Sequence, residues 1–213
     1  KIDGRIKMSN VDGGFINNFF PKNKLDLYGL LFGEIGFTKT DLDQSASFDM
    51  TMKNGQIYNQ VFSDLTLSAV FKKGTIHIED FTLTNNEQTG IQITGSIPIK
   101  EISSSNTVDI SSHFSFLNTD IFTQFIPDGF PIEGIVSGNF NLKSEDSSPF
   151  YEFYLTIKNG FYDKIDLGTV STKGYYRNNL LIFDSFSSTN SKGDTTGSAS
   201  LPMKLDYNSI NFG

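Results

Sequence analysis

His77 and His113 are the only imidazoles in the chain, and there is no cysteine. A hydrolytic triad or a histidine metal site would need one of them with positioned partners. Neither recurs where the chain repeats itself; the position matching His77 is Ile182. Each therefore reads as a solvent-facing strand residue. Asp41-Leu42-Asp43 begins like a calcium loop but lacks the glycine and the closing glutamate at the required spacing, so it reads as a solvated turn. Asp163 and Asp166 are paired carboxylates of the kind a glycosidase uses. Nothing fixes their separation, and the chain has no Trp to stack a sugar. Gly29/Gly33 and Gly134/Gly138 have GxxxG spacing. In a membrane helix that spacing makes a dimer face, and a glycine-rich strand-to-helix turn cradles phosphate. Both copies here lie in strand-like sequence with no helix after them. Glycine in a strand permits a bend, a bulge or a close approach, so its repetition reads as a device that curves a sheet. No catalytic residue, metal or cofactor is expected.

The elements that would carry these residues are repeated. Met50-Thr51-Met52-Lys53-Asn54-Gly55 returns as Leu155-Thr156-Ile157-Lys158-Asn159-Gly160, 105 positions on. Leu27-Tyr28-Gly29-Leu30-Leu31-Phe32-Gly33 returns as Ile132-Glu133-Gly134-Ile135-Val136-Ser137-Gly138 at the same offset. A repeat constrains the whole architecture. It predicts two tandem units, 1–106 and 107–213, stacked into one elongated object that offers a surface or channel. The start at Lys1 and the end at Phe212-Gly213 suggest a piece of a longer protein.

Nearly every segment alternates apolar and polar residues with the period of a half-buried strand. Examples are 65–71, 75–79, 90–100, 153–157 and 201–205. Asn54-Gly55, Lys73-Gly74, Asn159-Gly160, Asn178-Asn179 and Lys192-Gly193 punctuate them. These are hairpin signals, with a bulge or wider loop as the alternative at Asn-Gly. Two segments have helical spacing instead. One is 117–127, with apolar residues at Leu117, Ile121, Phe122, Phe125 and Ile126 before Pro127. The other is 11–20, with Phe15, Ile16, Phe19 and Phe20 before Pro21. Each unit is therefore predicted to open with a short helix and to continue as antiparallel strands.

Composition narrows the partners. The net charge is −7 and the pI about 4.8, which argues against nucleic acid and against simple docking on anionic lipid heads. Twenty-one Phe and eight Tyr supply large apolar areas with few polar groups to satisfy. No apolar run approaches the ~20 residues of a membrane span, and no signal peptide is visible.

The ordered set from Asp120-Ile121-Phe122 through Phe125-Ile126-Pro127, Gly134-x-x-x-Gly138, Lys158-Asn159-Gly160 and Leu201-Pro202-Met203 resembles the repeat of TamB and AsmA-like proteins. Both halves fit it. The resemblance implies a β-taco, a folded-over antiparallel sheet with a continuous apolar concave interior. It implies a segment of a protein anchored in the inner membrane that spans the periplasm of a diderm bacterium. Such proteins conduct phospholipid to the outer membrane and support outer-membrane biogenesis with an Omp85-family barrel partner. No anchor or barrel-binding end is recognisable here, so those roles are not carried over. Flanking repeats of the same chain and phospholipid acyl chains are the expected partners.

A seven-residue strand spans about 23 Å, more than half of a ~30 Å bilayer core, so a curved sheet could shelter an acyl chain. The expected lining is Ile35, Phe37, Met50, Met52, Leu67, Ile76, Ile78, Ile93 and Ile97 in the first unit. In the second it is Phe140, Leu142, Leu155, Ile157, Leu181, Phe183, Leu201 and Met203. The same alternation would serve a closed core, as in an adhesin or structural scaffold. A carbohydrate-active enzyme is the weakest alternative.

Overall fold

The computed structural model describes residues 1–19, 27–40, 43–57, 60–85, 90–99, 107–119, 132–145 and 148–202. The alternating segments become twelve strands. They are β1 (Ile2–Asp12), β2 (Tyr28–Lys39), β3 (Gln44–Ile57), β4 (Gln60–Lys72), β5 (Thr75–Thr84), β6 (Gly90–Pro98) and β7 (Asp109–Asn118). After these come β8 (Ile132–Glu145), β9 (Ser148–Tyr162), β10 (Ile165–Arg177), β11 (Leu180–Asn190) and β12 (Gly193–Pro202). They hydrogen-bond in chain order as one open antiparallel sheet. The chain divides into two compact units, Lys1–Ser112 and His113–Gly213. That division falls inside β7, whereas the sequence repeat places it at 106.

In the first unit the short helix falls inside the expected 11–20, but it starts later and is of the 3₁₀ type. β1 runs on through Val11 and Asp12, and a 3₁₀ segment, Gly13–Phe19, follows. Gly13-Gly14 is a poor start for an α-helix. The Gly14 N–H donates to Asp12 Oδ1 at 2.9 Å, and the Asn17 amide exchanges two 3.0 Å bonds with the Leu27 backbone. The segment is thus fastened to the start of β2. In the second unit, Leu117 and Asn118 end β7, and 120–131, the body of the expected helix, lies outside the described residues.

The two Asn-Gly pairs are bulges inside strands rather than hairpin turns. Asn54 and Asn159 have φ of 50° and 51°, and the registers of β2 with β3 and of β8 with β9 slip by one residue opposite them. β3 continues because Gly55 still pairs with Phe62 on β4. Lys73-Gly74 and Asn178-Asn179 are two-residue hairpin turns with positive φ at both positions.

The GxxxG glycines behave alike in both copies. Gly29 and Gly33 have φ of +145° and +148°; Gly134 and Gly138 have +149° and +159°. A Cβ on Gly33 would collide with the Asp49 carbonyl oxygen across the ladder, and one on Gly138 with that of Tyr154. The backbone conformation and the close approach both demand glycine.

Phenylalanine answers other glycines. Gly4, Gly55 and Gly174 each pair directly with a Phe on a neighbouring strand, Phe37, Phe62 and Phe153. At Gly4 and Gly55 the ring occupies the space that a Cβ would take, and at Gly174 the ring shares it with the Ile182 carbonyl. This is one use of the high Phe content: a ring restores contact area where the glycine has no side chain.

Candidate functional site

Directly paired residues in an antiparallel ladder point to the same face, so the register sorts the side chains. In the first unit, one face carries Ile6, Met8 and Val11 of β1 and Leu31, Ile35 and Phe37 of β2. Met52, Met50, Phe48 and Ala46 of β3 join them, as do Leu65, Leu67, Ala69 and Phe71 of β4. β5 adds Leu83, Phe81, Ile78 and Ile76, and β6 adds Ile91, Ile93 and Ile97. The opposite face is mainly polar, with Leu30 and Phe32 of β2 exposed on it. There Glu34 pairs with Arg5 at 3.3 Å and Lys7 at 3.8 Å, and Asp49 accepts from Ser68 at 2.9 Å.

The apolar face is graded. Leu31, Met52, Leu65 and Leu83 are mutually paired across β2–β5 and all buried. Gly13 packs against the Met52 methyl, and Phe62 and Leu27 complete the cluster. The remaining rows of this face are mostly half-buried. Of the expected lining, Ile35, Met50, Leu67, Ile76, Ile78, Ile93 and Ile97 lie there; Phe37 is 41% exposed, and Met52, at 1%, belongs to the closed row.

The second unit repeats the closed row residue for residue. Val136, Ile157, Val170 and Ser188 sit 105 positions after Leu31, Met52, Leu65 and Leu83, are paired in the same way, and are buried. The Ser188 hydroxyl is satisfied by donating to the Leu167 carbonyl at 2.6 Å. Ile157 is therefore core as well. The offset of 105 was the signal for this row, and it was visible without the structure. Below the row, Phe140, Leu142, Leu155, Leu181 and Phe183 are half-buried. Phe153 meets Phe183 edge-on at 5.7 Å beside Gly174, and Tyr151 lies 5.6 Å from Tyr176 and 5.5 Å from Phe140. The apolar character fades toward β12, where Thr195, Gly197 and Ala199 take the corresponding positions and Leu201 is half exposed. Met203 lies outside the described residues.

The polar candidates stay apart. His77 is exposed. His113 Nδ1 lies 2.8 Å from Asn139 Oδ1, and its Nε2 lies 3.0 Å from Ser115 Oγ. That is the order of a nucleophile, base and orienting amide, but no acid completes it among these contacts. The adjacent Phe116 N–H is already donated to Ser137 Oγ at 2.9 Å, so it offers nothing to an oxyanion. Asp43 is exposed and closes a turn with Thr40; Asp41 and Leu42 lie outside the described residues. Asp166 accepts from the Gly168 N–H at 2.8 Å, while Asp163 is an exposed turn residue. Among the described residues no cluster of three His, Asp or Glu could hold a metal ion. A shallow depression of about 600 Å³ is lined mainly by residues of the polar face of β1–β3. Its charges are paired, Lys1 with Asp3 at 3.1 Å and Arg5 with Glu34.

At its rim the Thr38 hydroxyl donates to Asp3 at 2.9 Å. That bond first, and Lys1 second, hold the Asp3 carboxyl below its ordinary value. A depressed folded-state pKa contributes stability above the unfolded value of about 3.9, and this contribution is lost as pH falls through the folded one. Thr38→Val is expected to raise the Asp3 midpoint toward the ordinary value in an NMR titration. An unmoved midpoint would show that the hydroxyl is not the cause.

Comparison with known proteins finds no matching family model, curated protein or solved structure.

Proposed function

We propose that this chain is a lipid-handling β-repeat segment, as its resemblance to TamB and AsmA-like repeats implies. Its apolar sheet face shelters acyl chains while phospholipid passes between the inner and outer membranes of a diderm bacterium. The observation that supports this reading is the one-sided register of β1–β6, with apolar rows left only half-buried beyond the closed row. A scaffold with a sealed core would be expected to bury those rows as fully as Leu31 and Met52. The energetics are sufficient: sheltering six methylenes contributes about 5 kcal/mol at ~0.8 kcal/mol each. No polar hook is needed, and a smooth lining lets a lipid slide.

The test exploits the period of two. A benzophenone amino acid placed at Ile93 should cross-link to lipid on irradiation in cells, whereas the same probe at Gln92, on the other face, should not. Native mass spectrometry of the purified chain should find co-purifying phospholipid. No adduct at either position and no bound lipid would leave the scaffold reading in its place.

A further inference from the structure

Among the described residues two strands have a neighbour on one side only: β1, beside β2, and β12, beside β11. The repeat gives each an internal counterpart whose outer edge is occupied. β12 matches β6. In the β5–β6 ladder Thr75 pairs with Pro98, Ile78 with Gly95 and Phe81 with Ile93. In the β11–β12 ladder Leu180 pairs with Pro202, Phe183 with Ala199 and Phe186 with Gly197, and the register slips at the same place. β1 matches β7. The left-handed Asn10 of β1 returns as the left-handed Phe116. The contact of Lys7 with Glu34 at 3.8 Å returns as that of His113 with Asn139 at 2.8 Å. β6 hydrogen-bonds to β7. A Cβ on Gly95 would meet the Asp109 carbonyl oxygen and the Ile110 Cα. Gly33 has the same relation to Asp49 and to Met50, and Met50 is its direct partner. Gly95 therefore stands opposite Ile110.

We propose that the free edge of β12 takes the free edge of β1 from a second copy of this chain, in the register that β6 and β7 use. Gly95 corresponds to Ala199 and Ile110 to Gly4, so Ala199 stands opposite Gly4. Leu201 then meets Ile2, Gly197 meets Ile6 and Thr195 meets Met8, all on the apolar face. The side chains suit this pairing. Ile2, Ile6 and Leu201 are exposed, and all three come together along the seam. The space beside Gly197 is open, and Ile6 fills it as Phe62 fills the space beside Gly55. On the polar face Asp194 lies diagonal to Lys7, an attractive pair. Arg5 and Lys7 lie on that face with Glu34, so they leave the ladder clear. All ten residues of β12 are exposed. The strand has no lysine, and its proline is its last residue, so it lacks the usual protection of an edge against pairing. The two edges differ, so the contact is head-to-tail and repeats from copy to copy. It carries the apolar face on from one chain to the next, and it stands independently of the lipid reading.

The test is sedimentation velocity on the whole 213-residue chain. One strand pair buries less than a standard interface, so the mass of the unmodified chain is expected to rise with concentration up to about 100 μM. I6K alters only the β1 edge and L201K only the β12 edge, and both side chains are exposed. Each variant alone should stay monomeric. Their equimolar mixture should form a dimer, because the intact β12 edge of I6K meets the intact β1 edge of L201K. Cross-linking reads the register without these lysine variants. The chain has no cysteine, so T196C mixed with K7C, its expected partner, should form a disulfide under mild oxidation. T196C mixed with D3C, four residues away along β1, should not. The proposal is overturned if the unmodified chain stays monomeric, if either lysine variant alone associates as the unmodified chain does, or if their mixture stays monomeric. It is overturned equally if T196C links to D3C as readily as to K7C.

Discussion

Phe62→Ala is expected to destabilise the first unit by about 3–5 kcal/mol, the usual cost of deleting a buried aromatic side chain. The ring is 1% exposed and packs in the cluster of Leu27, Leu31, Met52, Leu65 and Leu83. Its partner across the ladder is Gly55, which has no side chain to move into the cavity. Gly55 is also half of the Asn54-Gly55 bulge, so the lost contact falls where β3 already departs from regular pairing. The matching position in the second unit is Leu167, only half-buried; Leu167→Ala should cost less. Urea unfolding of the two variants would decide. A loss below about 1 kcal/mol for Phe62→Ala would mean that the cluster does not anchor this end of the face.

Gly33→Ala is expected to cost about 2–4 kcal/mol, as is Gly138→Ala. Two effects combine. A side chain at φ near +150° is strained by about 1–3 kcal/mol. The new methyl also meets backbone, the Asp49 carbonyl with Met50 Cα at 2.8 Å for Gly33 and the Tyr154 carbonyl with Leu155 Cα at 3.0 Å for Gly138. Backbone held in a ladder cannot rotate aside. Gly36→Ala on the same strand is the control. Its φ is not in the positive region, and a Cβ there meets only Ser47 Oγ, at 2.7 Å, a side-chain atom that can turn away. Melting temperatures should separate the pair, with Gly33→Ala lower by about 5–10 °C for a chain of this size. Equal melting would remove the steric account of the repeated glycines.

The sequence's limits are visible in particular residues. Met52 and Met50 are two positions apart on one strand and one face, yet Met52 is closed core and Met50 is half-covered. Period-two alternation treats them alike. What separates them is Gly13 of the 3₁₀ segment, 39 positions earlier, lying against the Met52 methyl. Asn54-Gly55 has the composition of a hairpin turn and is a bulge because both neighbouring strands keep pairing past it. The 3₁₀ segment has the apolar spacing of a helix, but two glycines and the Asn17–Leu27 bonds hold it in another form.

Sequence alone determined the strands, the sidedness of each and the 105-residue offset, because alternation and turn chemistry are local properties of the backbone. The same offset pairs the closed row of the first unit with that of the second, so the core positions of one unit were encoded in those of the other. Tertiary structure alone decided how deeply each apolar residue is covered and which glycines are filled by a phenylalanine from a neighbouring strand. Those outcomes depend on residues far apart in the chain meeting across a register, and coverage is set by whatever packs above a side chain, which its own neighbours in sequence do not specify.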